Sequence, residues 1–566
     1  MRCSRILASA ALLLTVTGCS RPEAAPEPAS RPSILLITLD TTRADSIGPE
    51  ARAVETPAFN AVASRGRRYR QAYSTVPQTL PSHASMLTGL YPGGHRIHEN
   101  ARPLSGSQPL VAEELRRRGY RTAAFVSSFI LAKQFGLARG FEQYDDMLPA
   151  GVSERSSQET TDRAIAWLQQ NAGAPRFLWV HYFDPHHPYE PPEPYRTRYR
   201  DDPYRGEIAA MDAQIARLVQ AFEQSASGGS GIIIAGDHGE SLGEHGEEQH
   251  GNLVYQGSMH VPLVVAGPGV QPAVVDEPVS LRRIHDTILG WAGAAAPLSL
   301  QRDAPEVVLG ESMIPFLQYG WQPQVMAVEG RRKVIRAGAL EIYDIVADPA
   351  ESRDLGADAG ISRGIRKALA EYPVPSPDAA SAAPITEEDR RQLASLGYIA
   401  AETKPVVRRA APRPRDMVHL FDDLDRASDL FLAGQYAAAI PILERITRED
   451  PYNLAAFLRI AAAQSALGRN EAALESFRKA EALAPNSADV RHYLALHYAR
   501  SGAWTEATPL LERVVQESPD RIAAVEALAT AREREGRLEE AIQLRQRVVA
   551  SKTPTAAEFV SLGQLA

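Results

Sequence analysis

The sequence predicts an α/β sheet with helices on both faces, then a small antiparallel sheet, then an all-α repeat array. Three observations carry that expectation. Short apolar β-type runs alternate with helical stretches from residue 33 to about residue 296. Short alternating runs, broken by Gly-containing turns, fill residues 324–346. Beyond residue 420, small residues and prolines recur every 34 positions.

At 566 residues the chain is too long for one ordinary domain, and 44% hydrophobic content is ample for full cores. A net charge of −8 excludes an electrostatically driven nucleic-acid binder, so no nucleic-acid partner is expected. The clusters Arg116-Arg117-Arg118 and Arg331-Arg332-Lys333 read as solvated faces.

Residues 1–19 stand apart from the fold. Met1-Arg2-Cys3-Ser4-Arg5 is a basic start, and the apolar run 6–16 is too short to span a bilayer. Val16-Thr17-Gly18-Cys19 resembles a bacterial lipobox, which implies cleavage before Cys19 and lipidation of its thiol. Ser20 resembles the outer-membrane sorting preference, so the expected location is the bacterial cell envelope, anchored by lipid and facing the periplasm. With Cys19 acylated, no other cysteine remains in the mature chain to form a disulfide. Residues 20–32 form a Pro/Ala/Glu tether.

Strands are expected at 34–39, 122–126, 177–182, 232–235 and 262–266, and helices at 112–118 and 156–170. These fall in a domain over residues 33–323. The runs QVMAVEG, KVIRAG and LEIYDIV begin a second unit, 324–400, which ends in an expected helix at 385–399. Residues 401–419 read as a Pro/Arg linker. From 420 to 566, Gly434, Gly468, Gly502 and Gly536 keep the 34-residue period. So do Pro451, Pro485 and Pro519, and Ala439, Ala473, Ala507 and Ala541. This unit resembles the tetratricopeptide repeat, which implies stacked helix pairs and a surface for a protein or peptide partner. Four units fit, with the start of a cap from Thr555, and the array reads as separable from the rest.

The chemistry lies earlier. Asp40 and Asp237-His238 each follow an apolar strand, and Thr79 opens TLPSHASMLTG. Two carboxylates, an imidazole and a hydroxyl at the carboxyl ends of parallel strands suit a divalent cation, which can lower the pKa of a coordinated hydroxyl. LITLDTTRADSIG, TLPSHASMLTGLYP, HYFDPHHPYEPP, GDHGESLGEHG and LEIYDIVADPAESRDL occur in that order. Together they resemble the sulfatase branch of the alkaline phosphatase superfamily. The resemblance implies a mixed sheet and metal ligands at Asp40, Thr79, Asp237 and His238.

Departures from the family pattern point away from sulfate. Thr41 stands where a second carboxylate is common, and His238 where Asn is common. That exchange favours zinc or manganese over calcium or magnesium. Thr79 replaces the Cys or Ser that becomes formylglycine, so no formylglycine is expected. His83 replaces an Arg, and Ser127, Ser128 and Phe129 replace a Lys-Trp-His group. Threonine nucleophiles in related phosphotransferases and phosphodiesterases suggest a covalent phosphate on Thr79, with Ser82 or Ser85 as alternatives.

His186 and His250 are the expected proton-transfer residues, or the holders of a second ion beside the one expected. Asp184 could join such a second site, and Glu240 is expected to orient His238. His83, Asn100 and His245 are candidate substrate contacts, with His95 and His98. The implied activity is metal-dependent hydrolysis or transfer of phosphate mono- or diesters. Sulfate ester hydrolysis and a non-catalytic repeat-based scaffold are the alternatives.

Overall fold

In a computed structural model the described residues are 31–551, except 101, 107, 150, 151, 227, 378–391, 393–402 and 520. The expected lipidation residue Cys19, the bulk of the tether, the cap from Thr555 and all but one residue of the 385–399 helix lie outside them. Among the described residues no helix is long and apolar enough to cross a membrane.

The main sheet contains β1 (Ser33–Leu39), β2 (Arg67–Tyr73), β3 (Arg121–Phe125), β4 (Gln143–Asp145), β5 (Arg176–Tyr182), β6 (Ser230–Gly236), β7 (His260–Ala266), β8 (Ala273–Val275) and β9 (Val279–Ser280). Its order is β4-β3-β5-β1-β6-β7-β2-β8, with β9 also paired to β2. The sheet is mixed. β4, β3, β5, β1 and β6 run parallel, and β7 runs antiparallel to both β6 and β2.

Every residue of β1 and β5 is buried, as expected of parallel strands covered on both faces. Their side chains alternate between two cores. Ile34, Leu36, Phe177, Trp179 and Ile233 face one, and Leu35, Ile37, Leu178, Val180 and Ile234 face the other. The second core is closed by α1 (Pro57–Arg65) and by helices Ser157–Gln170 and Pro203–Ser225. The first is closed by α2 (Thr79–Thr88) and helices Val111–Arg117 and Arg283–Trp291. All five expected strands are present, and β2 joins them unforeseen. Its run RRYRQAY looks like surface because Arg67, Arg68 and Arg70 are ion-paired to Asp303, Glu50 and Asp276, while Tyr69, Ala72 and Tyr73 are buried.

A second, antiparallel sheet contains β10 (Val308–Ser312), β11 (Gln324–Glu329), β12 (Arg332–Ala337) and β13 (Ala339–Asp344). The expected start at residue 324 is therefore too late. β10 pairs with β11 from across the helix Ile314–Tyr319, so the sheet begins at Val308.

Four helix pairs follow: Phe421–Leu432 with Tyr436–Glu449, Leu454–Ala466 with Asn470–Leu483, Ala488–Ser501 with Trp504–Glu517, and Ile522–Arg534 with Leu538–Ser551. Ala439, Ala473, Ala507 and Ala541, which keep the 34-residue period, are wholly buried.

Two expectations fail here for one reason, continuous packing. The predicted linker is a strap. Lys404 N–H donates to Asp489 Oδ2 (3.0 Å), the Arg408 guanidinium lies 3.6 Å above the Tyr452 ring, and Val406 packs against the core of the second repeat. Gln322 N–H donates to Pro412 O (2.9 Å), Gln322 Nε2 donates to Arg409 O (3.0 Å), and Arg415 pairs with Glu341 (2.7 Å). Nor are the repeats separable. Trp321, Met326, Val328 and Tyr343 of the second sheet share one core with Leu420, Leu424, Leu443 and Ile446 of the first repeat. Trp321 Nε1 donates to Asp450 Oδ2 at 2.8 Å.

Candidate active site

β1 lies between β5 and β6, with Thr38 opposite both His181 and Ala235. The carboxyl ends of these three strands therefore deliver His181, Asp40 and Asp237 to one edge, where open α/β sheets bind ligands. Asp40 N–H donates to Tyr182 O (2.9 Å) and Asp237 N–H to Leu39 O (3.0 Å), so the ladder extends to both carboxylates. Gly239 then presses on the next turn, where a Cβ would stand 2.0 Å from Gly257 O.

His238 is oriented by its own neighbour. Its Nδ1 donates to Gly239 O (3.0 Å), which turns Nε2 toward the carboxylates. That Nε2 lies 3.3 Å from Asp40 Oδ1, 3.7 Å from Asp237 Oδ2 and 3.3 Å from Thr79 Oγ1. Thr79 Oγ1 is also 3.5 Å from Asp40 Oδ2. All four side chains are fully buried.

Thr79 opens α2, and Asn100 Oδ1 accepts from Leu80 N–H (3.0 Å) in the same first turn. One turn on, His83 Nδ1 donates to Thr79 O (2.7 Å), so His83 Nε2 accepts from Thr38 Oγ1 (2.9 Å). Thr38 Oγ1 in turn accepts from Trp179 Nε1 (2.9 Å). This chain runs Trp179, Thr38, His83, Thr79, and it fixes the backbone at the head of α2. Ser82 and Ser85 are turned elsewhere. Ser82 Oγ donates to Asp237 O (2.7 Å), and Ser85 Oγ is bonded to Pro81 O and His95. Only Thr79 among the three hydroxyls reaches the carboxylates.

The cluster fits a divalent cation. Ligand atoms of Asp40, Asp237 and His238 lie within 4.8 Å of one another, and among the described residues Asp40 Oδ1 and Asp237 Oδ2 have no hydrogen-bond partner. Burial pushes the Asp237 carboxyl well above the usual range, with the Asp40 charge adding to it. Burial opposes ionisation of Asp40 as well, yet His181 and His238 hold it well below. Against the cost of its own burial, His238 is raised to about 9 by Asp237 and Asp40. Two carboxylates buried side by side thus require positive charge beside them, which a bound divalent cation supplies.

His186 and His250 stand together beside this cluster. The His250 ring is 4.5 Å from that of His238 and 5.3 Å from that of His186. Burial lowers His186 to about 4 and His250 to about 3, the latter helped by the His238 charge. Glu240 corrects the reading from spacing. Its Oε1 bonds His250 Nδ1 (2.8 Å) and its Oε2 accepts from Tyr189 OH (2.9 Å), so it orients His250 and not His238.

Of the other expected substrate contacts, His83 sits at this cluster, its Nδ1 3.5 Å from Asp237 Oδ2, and the rest are engaged elsewhere. His245 stacks on Tyr255 at 3.7 Å and bonds Ala350 O (3.0 Å), held by the second sheet's side of the molecule. His98 Nδ1 bonds Glu311, and Asp184 Oδ2 accepts from Ser157 N–H at the start of a helix. Asn100 and His83 are buried in support of α2. The residue that spacing missed is His181, hidden in the run FLWVHY as one more buried strand position.

Residues 32–294 match the sulfatase family model, and residues 430–496, 465–528 and 498–562 match a tetratricopeptide repeat model. The chain is 24% identical over 428 residues to a choline-sulfatase of Rhizobium meliloti, covering 57% of this chain and 82% of that protein. It is 24% identical over 410 residues to PehA, a multifunctional alkaline phosphatase superfamily protein of Trinickia caryophylli, covering 51% and 78%. Among solved structures, one determined with its substrate D-glucosamine-2-N,6-O-disulfate is similar in fold. Its TM-score is 0.51 at 16% identity, over 60% of this chain and 96% of that one.

Proposed function

From the premise that this chain carries a hydrolase domain of the sulfatase family, in the alkaline phosphatase superfamily, joined to tetratricopeptide repeats, we propose that it cleaves or transfers phosphate mono- or diesters through Thr79. The observation that carries this reading is the Thr79 hydroxyl, 3.3 Å from His238 Nε2 and 3.5 Å from Asp40 Oδ2. A secondary alcohol cannot be oxidised to the aldehyde that sulfatases use, whereas it can attack phosphorus.

Asp40, Asp237, His238 and Thr79 would hold the cation, which when bound acidifies a hydroxyl and neutralises charge on the transferring group. Two carboxylate oxygens and an imidazole favour zinc or manganese. The rest belongs to the chain. Thr79 Oγ forms a bond to phosphorus as the bond to the leaving oxygen breaks. The Thr79 proton passes through the imidazole of His250 or His186 to that departing oxygen. In the second step the same imidazole takes a proton from water or an acceptor alcohol and returns it to Thr79 as the phosphate leaves. Each turnover starts and ends with a neutral imidazole, which agrees with the lowered pKa of both histidines. Glu240 holds His250 in place for this traffic.

The test is a panel of aryl phosphate monoesters, diesters and sulfates, assayed with metal analysis of protein lacking residues 1–19. Phosphoester turnover should fall by at least about 10³-fold in Thr79→Ala and survive partly in Thr79→Ser. Sulfate preference, or phosphoester turnover indifferent to Thr79→Ala, would overturn the reading. Lipid anchoring at Cys19 in a bacterial envelope belongs to the same proposal, and fatty-acid labelling lost in Cys19→Ser would support it.

A further inference from the structure

His181 is wholly buried, and among the described residues its ring nitrogens have no side-chain contact to satisfy them beyond that of Nε2 with Asp40. That leaves Nδ1 unsatisfied and Nε2 with a single long contact, which a fold rarely tolerates without a reason. Its surroundings supply one. His181 Nε2 lies 3.3 Å from Asp40 Oδ2, on the opposite carboxylate oxygen from the one facing His238. Ligand atoms of His181, His83 and Asp237 also lie within 4.8 Å of one another, in a group that shares Asp237 with the first cluster.

The neighbouring His83, whose Nδ1 lies 3.5 Å from Asp237 Oδ2, is already committed to other partners. Its Nδ1 is engaged by Thr79 O and its Nε2 by Thr38 Oγ1. Thr41, beside Asp40, has an unpartnered hydroxyl and no carboxylate to offer. A nitrogen arrives instead from the next strand, as His181 Nε2. β5 and β1 are in register at His181 and Thr38, which brings that nitrogen to the Asp40 edge.

We infer that His181 Nε2 is a direct ligand of the cation held by Asp40, Asp237 and His238, so that the centre has two imidazole nitrogens. The inference rests on the cation of the proposed function but not on the substrate class. A second imidazole strengthens binding of zinc- and manganese-type ions over calcium. The competing role for His181 is to steady Asp40 without touching the ion.

Manganese-loaded full-length protein, examined by electron spin-echo envelope modulation, separates the two. Wild type should show two directly bound imidazole nitrogens and His181→Gln one, with Mn²⁺ affinity weakened at least about tenfold. A single nitrogen in wild type overturns the assignment, even if His181→Gln fails to fold. A nitrogen count unchanged by His181→Gln overturns it as well. Sulfate preference in the substrate panel would defeat the functional reading and leave the nitrogen count untouched. Absence of bound Mn²⁺ from the wild type would defeat both.

Discussion

His83 holds the carbonyl of Thr79, and through Thr38 it ties that carbonyl to Trp179 in the neighbouring strand. An arginine is expected at this position in the family pattern. Here the side chain is used on the backbone of Thr79. His83→Ala should therefore lower kcat by about 10²-fold through loss of alignment, while KM and bound metal change little. A parallel fall in metal content would instead mean that His83 supports the ligands. Asp237→Ala should lose both metal and turnover, measured by elemental analysis beside the assay. Asp40, Thr79, Asp237 and His238 were legible because each ends a strand or opens a helix in a recognisable motif. His181 was not, because one histidine inside a doubly buried strand has the same local pattern as a core residue.

At the scale of elements, the segment between β6 and β7 is what brings His250 to His238. Glu247 pins it, accepting from Asn252 N–H (2.8 Å), Leu253 N–H (3.2 Å) and Ser241 OH (3.2 Å). Burial raises this carboxyl from 4.5 to about 8. A raised folded pKa means that the native state binds the proton more tightly. The group's stabilisation is thus complete below pH 4.5 and is lost as pH climbs toward about 8. Glu247→Gln should flatten that part of the stability profile, read as melting temperature against pH over this window. Parallel strands and the helix pairs were readable from apolar runs and the 34-residue period. β2 escaped because its arginines satisfy their charge at the rim, and the strap escaped because its contacts are made to distant elements.

For the whole molecule, the second sheet and the first repeat form one packed body. Truncation after Tyr398 would strip the cover from Trp321, Met326 and Tyr343, whose partners include Leu424 and Leu443. The truncated protein should aggregate or melt at markedly lower temperature, observed by light scattering and calorimetry. Trp321→Ala in the full chain should cost about 3–5 kcal/mol in denaturant titration. A truncated form as stable as the full chain would mean that the shared core contributes little.

The shared core also sets an order on biosynthesis. Trp321 leaves the ribosome long before Leu443 and Ile446 exist, and it waits for roughly 120 further residues, on the order of ten seconds at ordinary elongation rates. Until then the underside of the second sheet is a bare apolar face on an otherwise finished catalytic unit. A nascent chain stalled just beyond residue 400 should bind a general holdase chaperone, and one stalled well past residue 460 should release it. The enzyme's fold is closed by the last third of its chain to be made.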